Sequence, residues 1–156
     1  MPAAWIAQPQ EADAVTRLML AFRDHLGLDR PGDDDARASV ARLLADPETE
    51  FVLAAAEPGA RAAGVAQLRY RYGFWRSGGD CLLEDVYVDA TARGTGLGRA
   101  LVQATLERAR ERGCRRAELD VNESNAAALA LYESFGFSAA ANPYGARDLY
   151  MRLHLD

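Results

Sequence analysis

Three glycines, Gly94, Gly96 and Gly98, alternate through DATARGTGLGRAL, residues 89–101, directly after the run LEDVYV at residues 83–88. A strand that runs into a glycine-rich turn and then a helix aims several backbone N–H groups at one spot, with the positive end of the helix dipole behind them. Side chains at those positions would hold a ligand away from the backbone, and some positions in such a turn need φ > 0. The chemistry expected there is capture of a phosphate or pyrophosphate. A structural turn without a ligand is the plainer reading, but it has little need of three glycines.

Spacing narrows the anion. A Walker loop needs GxxxxGK[ST], and the chain contains no lysine at all, so an ATPase or GTPase is excluded. The dinucleotide fingerprint GxGxxG, begun at Gly94, meets Arg99 at its third glycine position. Asp120, at the end of the following strand-like run, keeps a nucleotide-binding oxidoreductase open as an alternative.

The elements that must position these residues follow from periodicity. Residues 4–7 suit a short first strand, and Val15, Leu18, Met19 and Phe22 recur at helical spacing between Glu11 and Leu26, with Gly27 as the stop. Asp33, Asp34 and Asp35 begin a second helix carrying Val40, Leu43 and Leu44; the three carboxylates either cap it or attract a cationic acceptor. A hairpin turning at Pro58-Gly59 follows, then a turn at residues 77–80 and an interior strand, CLLEDVYV. Residues 96–112 form the strongest helix, RRAELDV at 115–121 another strand, residues 125–135 a short helix, and the alternating DLYMRLHL at 148–155 a closing strand. Strand, helix, strand, helix, strand in the second half implies a parallel crossover in a mixed sheet. The fold class expected is α/β (α+β), one domain over residues 1–156.

Composition limits the partners. With 49% apolar and 26% charged residues the chain has enough apolar surface for a core. The net charge of −5 opposes a nucleic-acid surface and suits a cationic substrate. Every basic side chain besides the two histidines is arginine, a compositional bias that makes arginine abundance poor evidence for a nucleic-acid partner. Cys81 and Cys114 belong to no CxxC, and no His/Cys spacing suggests a metal. The N-terminus lacks a secretory pattern and no run approaches membrane-spanning length, so a cytoplasmic, reducing setting and no membrane partner are expected.

The stretch Arg93-Gly94-Thr95-Gly96-Leu97-Gly98 fits [QR]-x-x-G-x-[GA], and Asn125 to Phe137 fits N-x-x-A-x-x-L-Y-x-x-x-G-F. In that order, after LEDVYV, these segments resemble the GNAT acyl-CoA N-acyltransferases. The resemblance is strong over residues 81–138 and only general for the N-terminal helices. It implies a mixed sheet of six to seven strands flanked by four helices, acetyl-CoA as cosubstrate without a metal, and a homodimer. It implies that backbone groups of Val86, Tyr87 and Val88 hold the pantetheine arm and that the amides of Gly94, Thr95, Gly96, Leu97, Gly98 and Arg99 hold the pyrophosphate. Arg93 and Arg99 either add charge there or stay solvated. Asn125 is implied as a cofactor contact as well as a helix cap, with Asn122 nearby but off the motif register.

Tyr132 stands where the family keeps its general acid: a phenol held within hydrogen-bond reach can protonate a leaving thiolate. Glu84 resembles the glutamate that serves the substrate amine in diamine acetyltransferases. Strand alternation places it on the face of Val86 and Val88, where lost hydration would raise its pKa, and turns Asp85 the other way into a structural role. A carboxylate at a bulge, bound to a neighbouring arginine, is the competing reading of Glu84. Tyr70, Tyr72, Phe74 and Trp75 either line the acceptor pocket or fill a hairpin face; His25 and His154 read as isolated packing or surface residues. The implied reaction is acetyl transfer to a primary amine of a small molecule, a diamine, polyamine, amino acid or aminoglycoside. Protein or peptide acetylation and a catalytically silent CoA-binding module remain the alternatives.

Overall fold

The computed structural model describes residues 1–139 and 143–155. It divides into two compact units, Met1–Asp120 and Val121–Asp156.

The first unit contains β1 (Ala3–Ile6), α1 (Ala12–His25), α2 (Asp33–Ala45), β2 (Thr49–Ala55), β3 (Gly64–Gly73), β4 (Gly78–Val88), α3 (Leu97–Glu111) and β5 (Cys114–Glu118). The strands lie in sequence order as one sheet, antiparallel from β1 to β4 and parallel between β4 and β5. That parallel pair needs a crossover, and α3 supplies it. Five strands stand where six to seven were expected. The missing closing strand is the reason in part: residues 148–155 enter no ladder, because alternating apolar residues permit a strand but only a partner in register makes one.

Both faces of the sheet are covered. Val15 and Leu18 of α1 and Val40 of α2 pack with Phe51, Leu53, Val65 and Tyr87 on one face. On the other, Leu97, Leu101, Val102, Thr105 and Ala109 of α3 are buried as one stripe, at the helical spacing read from the sequence. Gly64 lets α3 come close, since a Cβ there would lie 3.2 Å from Leu101 Cδ1.

The C-terminal part of α3 is tied to the sheet by charge. Glu50 of β2 accepts from Arg108 Nε at 2.8 Å and Nη2 at 2.6 Å, from Arg112 Nη1 at 3.1 Å and from the Tyr70 hydroxyl at 3.2 Å. The Arg112 guanidinium lies 3.8 Å over the Tyr70 ring. Burial on its own would raise the Glu50 carboxyl, but the Arg108 bonds and charge, then Tyr70 and Arg112, outweigh it and hold it below the ordinary glutamate value. Tyr70 is thus absorbed by this network. Tyr72, Phe74 and Trp75 are exposed around the hairpin that joins β3 to β4.

In the second unit Asn125 caps α4 (Ala126–Ser134), its side chain accepting from Ala128 N at 3.1 Å. Gly136, at φ +97, closes the helix with Gly136 N bonded to Glu133 O.

Replacing Glu50 by glutamine is expected to destabilise the protein by about 2 kcal/mol at neutral pH, since two guanidinium groups lose their charged acceptor. The lowered carboxyl pKa gives stability that is present above the ordinary glutamate value and lost as pH falls through the folded one. The gap between wild type and Glu50→Gln in urea unfolding should therefore close below about pH 4.

Candidate active site

The parallel ladder between β4 and β5 is short. It runs from Gly79↔Cys114 to Leu82↔Glu118 and stops, whereas β4 stays paired with β3 as far as Val88. From Leu83 onward one edge of β4 is therefore open. Asp89 N donates to Ala63 O at 2.8 Å, which turns the amides of Asp89 and, by the two-residue period, Tyr87 toward β3. Val86 and Val88 consequently point their N–H and C=O groups at the open edge. The pleat so divides the three backbone candidates: Val86 and Val88 face the gap, and Tyr87 faces its neighbour strand.

The open edge leads into the glycine turn. Gly94 has φ +75 and Gly96 φ +88, and Gly96 is the N-cap of α3, its carbonyl accepting from Ala100 N at 3.0 Å. No side chain caps this helix, so the amides of Leu97 and Gly98 at its first turn remain donors for an external acceptor. A Cβ on Gly94 would meet nothing within 4 Å and one on Gly96 only Pro2 Cγ at 3.5 Å. The turn thus needs glycine for its dihedral angles, and the space over it is open. The Thr95 hydroxyl donates to the Ala92 carbonyl and pins the turn. Thr95, Gly96 and Arg99 also border a groove of about 450 Å³ between Pro2 and α3.

Arg93 is exposed and folds back along the turn. Its Nε donates to Val88 O at 3.2 Å, its Nη2 lies 3.4 Å from His25 Nδ1, and its guanidinium sits 5.9 Å from the centre of the Tyr87 ring. The Tyr87 ring stacks on Phe22 at 5.2 Å, and its phenol is pushed up first by burial and then by Asp89. His25 is therefore a packing residue against Tyr87 and Arg93, with no ligand set around it.

Glu84 departs from simple alternation. Gln67 pairs with Asp85 and Leu68 with Leu83, which leaves Glu84 as the extra residue of a β-bulge. Its carboxylate accepts from Gln67 Nε2 at 2.7 Å and pairs with Arg69 Nη2 at 3.1 Å. Glu84 therefore lies on the Gln67 and Arg69 face and not with Val86, whose partner Ala66 belongs to the opposite face. Asp85, opposite Gln67, shares the face of Glu84. Burial, then the charges of Glu84 and Asp120, push the Asp85 carboxyl up. Asp85 does point away from Val86, as alternation has it, and Glu84 is the residue that alternation misplaces; an acidic pair inside an apolar strand was the signal that the alternation breaks.

Within the second unit Tyr132 lies on α4, half-buried, its ring edge-on to Phe137 at 6.1 Å, and burial pushes its phenol up. Asn125 serves as the N-cap of the same helix, and Asn122 Oδ1 accepts from Ser124 N at 2.9 Å. Asp33 and Asp34 pair with Arg23 and Arg37 at the start of α2. Among the described residues no group of three or more His, Cys, Asp or Glu side chains is placed to hold a metal, and no helix is long and apolar enough to cross a membrane.

Comparison with known proteins agrees with this geometry. The profile of the Acetyltransferase (GNAT) family matches residues 14–137. The chain is 32% identical over 154 residues to aminoglycoside N(6')-acetyltransferase type 1 of Stenotrophomonas maltophilia, covering 97% of this chain and 94% of that protein. It is 50% identical over 64 residues to mycothiol acetyltransferase of Thermobispora bispora, a match that spans 39% of this chain but only 22% of that longer protein. A crystal structure from Arthrobacter sp. FB24, classed among the acetyltransferases, superposes with a TM-score of 0.85 at 30% identity, over 98% of this chain and 96% of that one. The chain belongs to the GNAT acetyltransferase family.

Alanine at Gly96 forces a side chain into the left-handed region, at a cost of order 1 kcal/mol, with no clash to add to it. Gly96→Ala is expected to weaken binding of coenzyme A by tenfold or more in calorimetry while lowering the melting temperature by only a few degrees.

Proposed function

We propose that this protein is an N-acetyltransferase that moves an acetyl group from acetyl-CoA to a primary amine of a small molecule. The observation that carries the reading is the run of open β4 edge from Leu83 to Val88, continuous with the uncapped, glycine-lined start of α3. An extended amide-bearing arm can add to that edge as a strand would, and a pyrophosphate can sit on the helix N-terminus. These are the two demands coenzyme A makes of a protein.

In this reading the amides of Val86 and Val88 hold the arm and steady the thioester oxygen as charge gathers on it. The amides of Gly94 to Arg99, with the Arg93 and Arg99 side chains beside them, receive the pyrophosphate, and Asn125 contributes a cofactor contact in addition to its cap. The acceptor nitrogen, once neutral, attacks the acetyl carbonyl directly; one of the two carboxylates at the β4 bulge, Glu84 or Asp85, serves the amine, and Tyr132 protonates the departing thiolate. The raised Tyr132 phenol keeps its proton at neutral pH until a thiolate forms beside it.

A small-molecule acceptor is supported by the end-to-end match to an aminoglycoside acetyltransferase. The acidic net charge suits a cationic acceptor. The match of the family profile across residues 14–137, which spans both units, supports a single functional domain over residues 1–156. The homodimer rests on the family resemblance, and sedimentation of the purified protein tests it; the cytoplasmic setting rests on the sequence and not on the family.

Thiol release from acetyl-CoA, followed with a panel of diamines, aminoglycosides, amino acids and N-terminal peptides, tests the reading directly. Release is expected with small amines. Release with peptides alone would move the acceptor to proteins, and tight coenzyme A binding without release would leave a silent binding module. Tyr132→Phe should lower turnover about 100-fold and leave coenzyme A affinity within a factor of two.

A further inference from the structure

The bulge at Glu84 turns two adjacent carboxylates to the same face, and their surroundings differ. Glu84 is occupied: Gln67 Nε2 donates at 2.7 Å and Arg69 neutralises it at 3.1 Å. Asp85 is half-buried, and among the described residues its side chain has neither a hydrogen bond nor an ion pair. The groups whose charge reaches it are both acidic, Glu84 beside it and Asp120 just beyond the end of β5. Its neighbour across the sheet, Gln67, has its amide nitrogen committed to Glu84.

A half-buried carboxylate without a counter-charge is unstable as an anion unless something cationic completes it. An ammonium group meets that need, and no cation among the described residues does. Asp85 also stands one residue before Val86, where β4 has parted from β5, so it is next in the chain to the backbone offered to the thioester.

We propose that Asp85, and not Glu84, is the carboxylate that receives the acceptor's ammonium group and takes its proton. The assignment rests on the acetyltransferase reading above. Asp85 as carboxylate accepts one proton from R–NH3⁺, giving the carboxylic acid and R–NH2. The nitrogen lone pair so freed forms the C–N bond to the acetyl carbon; the C–S bond breaks with its electron pair on sulfur, which takes the Tyr132 proton, the nitrogen's second proton returns to Tyr132 through water, and the Asp85 proton leaves to water. Glu84 with Arg69 and Gln67 is a positioning set that keeps the bulge in place and keeps Arg69 from neutralising Asp85. Burial and its two acidic neighbours raise the Asp85 carboxyl, bringing it nearer to a useful proton acceptor at neutral pH.

The test uses the full chain with acetyl-CoA and the best acceptor amine. Asp85→Asn is expected to lower turnover at least 100-fold at neutral pH, with KM for acetyl-CoA within twofold, and to regain activity as pH rises toward the pKa of the amine, where free base already abounds. Its melting temperature at neutral pH should equal or exceed that of wild type. A raised carboxyl gives stability that is complete below the ordinary aspartate value and lost as pH rises, so removing the charge costs the fold nothing. Glu84→Gln should keep turnover within about tenfold and should not change the shape of the pH profile. Full activity in Asp85→Asn, or an unchanged profile on its acid side, overturns the assignment, as does loss of the profile's acid limb in Glu84→Gln. A wild type that releases thiol with no amine sinks the acetyltransferase reading. Asp85 is then judged by carboxyl ¹³C NMR: a resonance that shifts when a diamine is added supports it as the ammonium receptor, and one that stays still overturns it.

Discussion

The parting of β4 from β5 after Leu82 is the constraint on which the site depends. A strand that keeps one neighbour and loses the other exposes a row of backbone donors and acceptors, and those groups need partners. Here the row is short, and only Val86 and Val88 present both polar groups to it. It ends in the glycine turn, where the amides at the uncapped start of α3 add further donors. The open strand edge and the helix start so lie in one short stretch, residues 83–98.

Holding this stretch straight is a packing problem. α1 and α2 press Tyr87 from one side through Phe22 and the Val15–Leu18 cluster, and α3 presses the other side through Leu101 and Val102. The glycine turn joins β4 to α3, so any tilt of the helix would displace the amides at its start. Glu50 resists that tilt near the opposite end, gripping Arg108 and Arg112 at once. A mobile lysine ammonium would grip less well there than a planar guanidinium that donates through two nitrogens. In a chain whose cationic side chains are so nearly all arginine, such forks recur: Asp80 is held by Arg116 in the same bidentate way.

The bulge at Glu84 is the other decisive irregularity. Without it, Glu84 and Asp85 would lie on opposite faces, one under α3 and one toward α1. With it, both acidic groups share one face, and one arginine serves only one of them. An unequal pair of carboxylates is a familiar way to give two like groups different protonation behaviour. The distinction arises from a single inserted residue in a ladder, not from the residue types.

Much of the first unit was legible from residue order. The two N-terminal helices, the hairpin, the glycine stop after α3 and the helix start at Asn125 follow from apolar spacing and breaker residues, which act over a few positions and need no partner. The glycine turn was legible for the same reason, because Gly94 and Gly96 state their positive φ locally. What the sequence could not decide was pairing. The end of the β4–β5 ladder, the face on which Glu84 lies and the absence of a ladder at residues 148–155 all depend on register against another strand. Glu84 was misplaced on that account: side-chain alternation is a property of one strand, whereas a bulge is a property of two. Sequence determined which groups are available for chemistry, and tertiary structure alone determined which of them are left without partners, since a partner is supplied by distant chain.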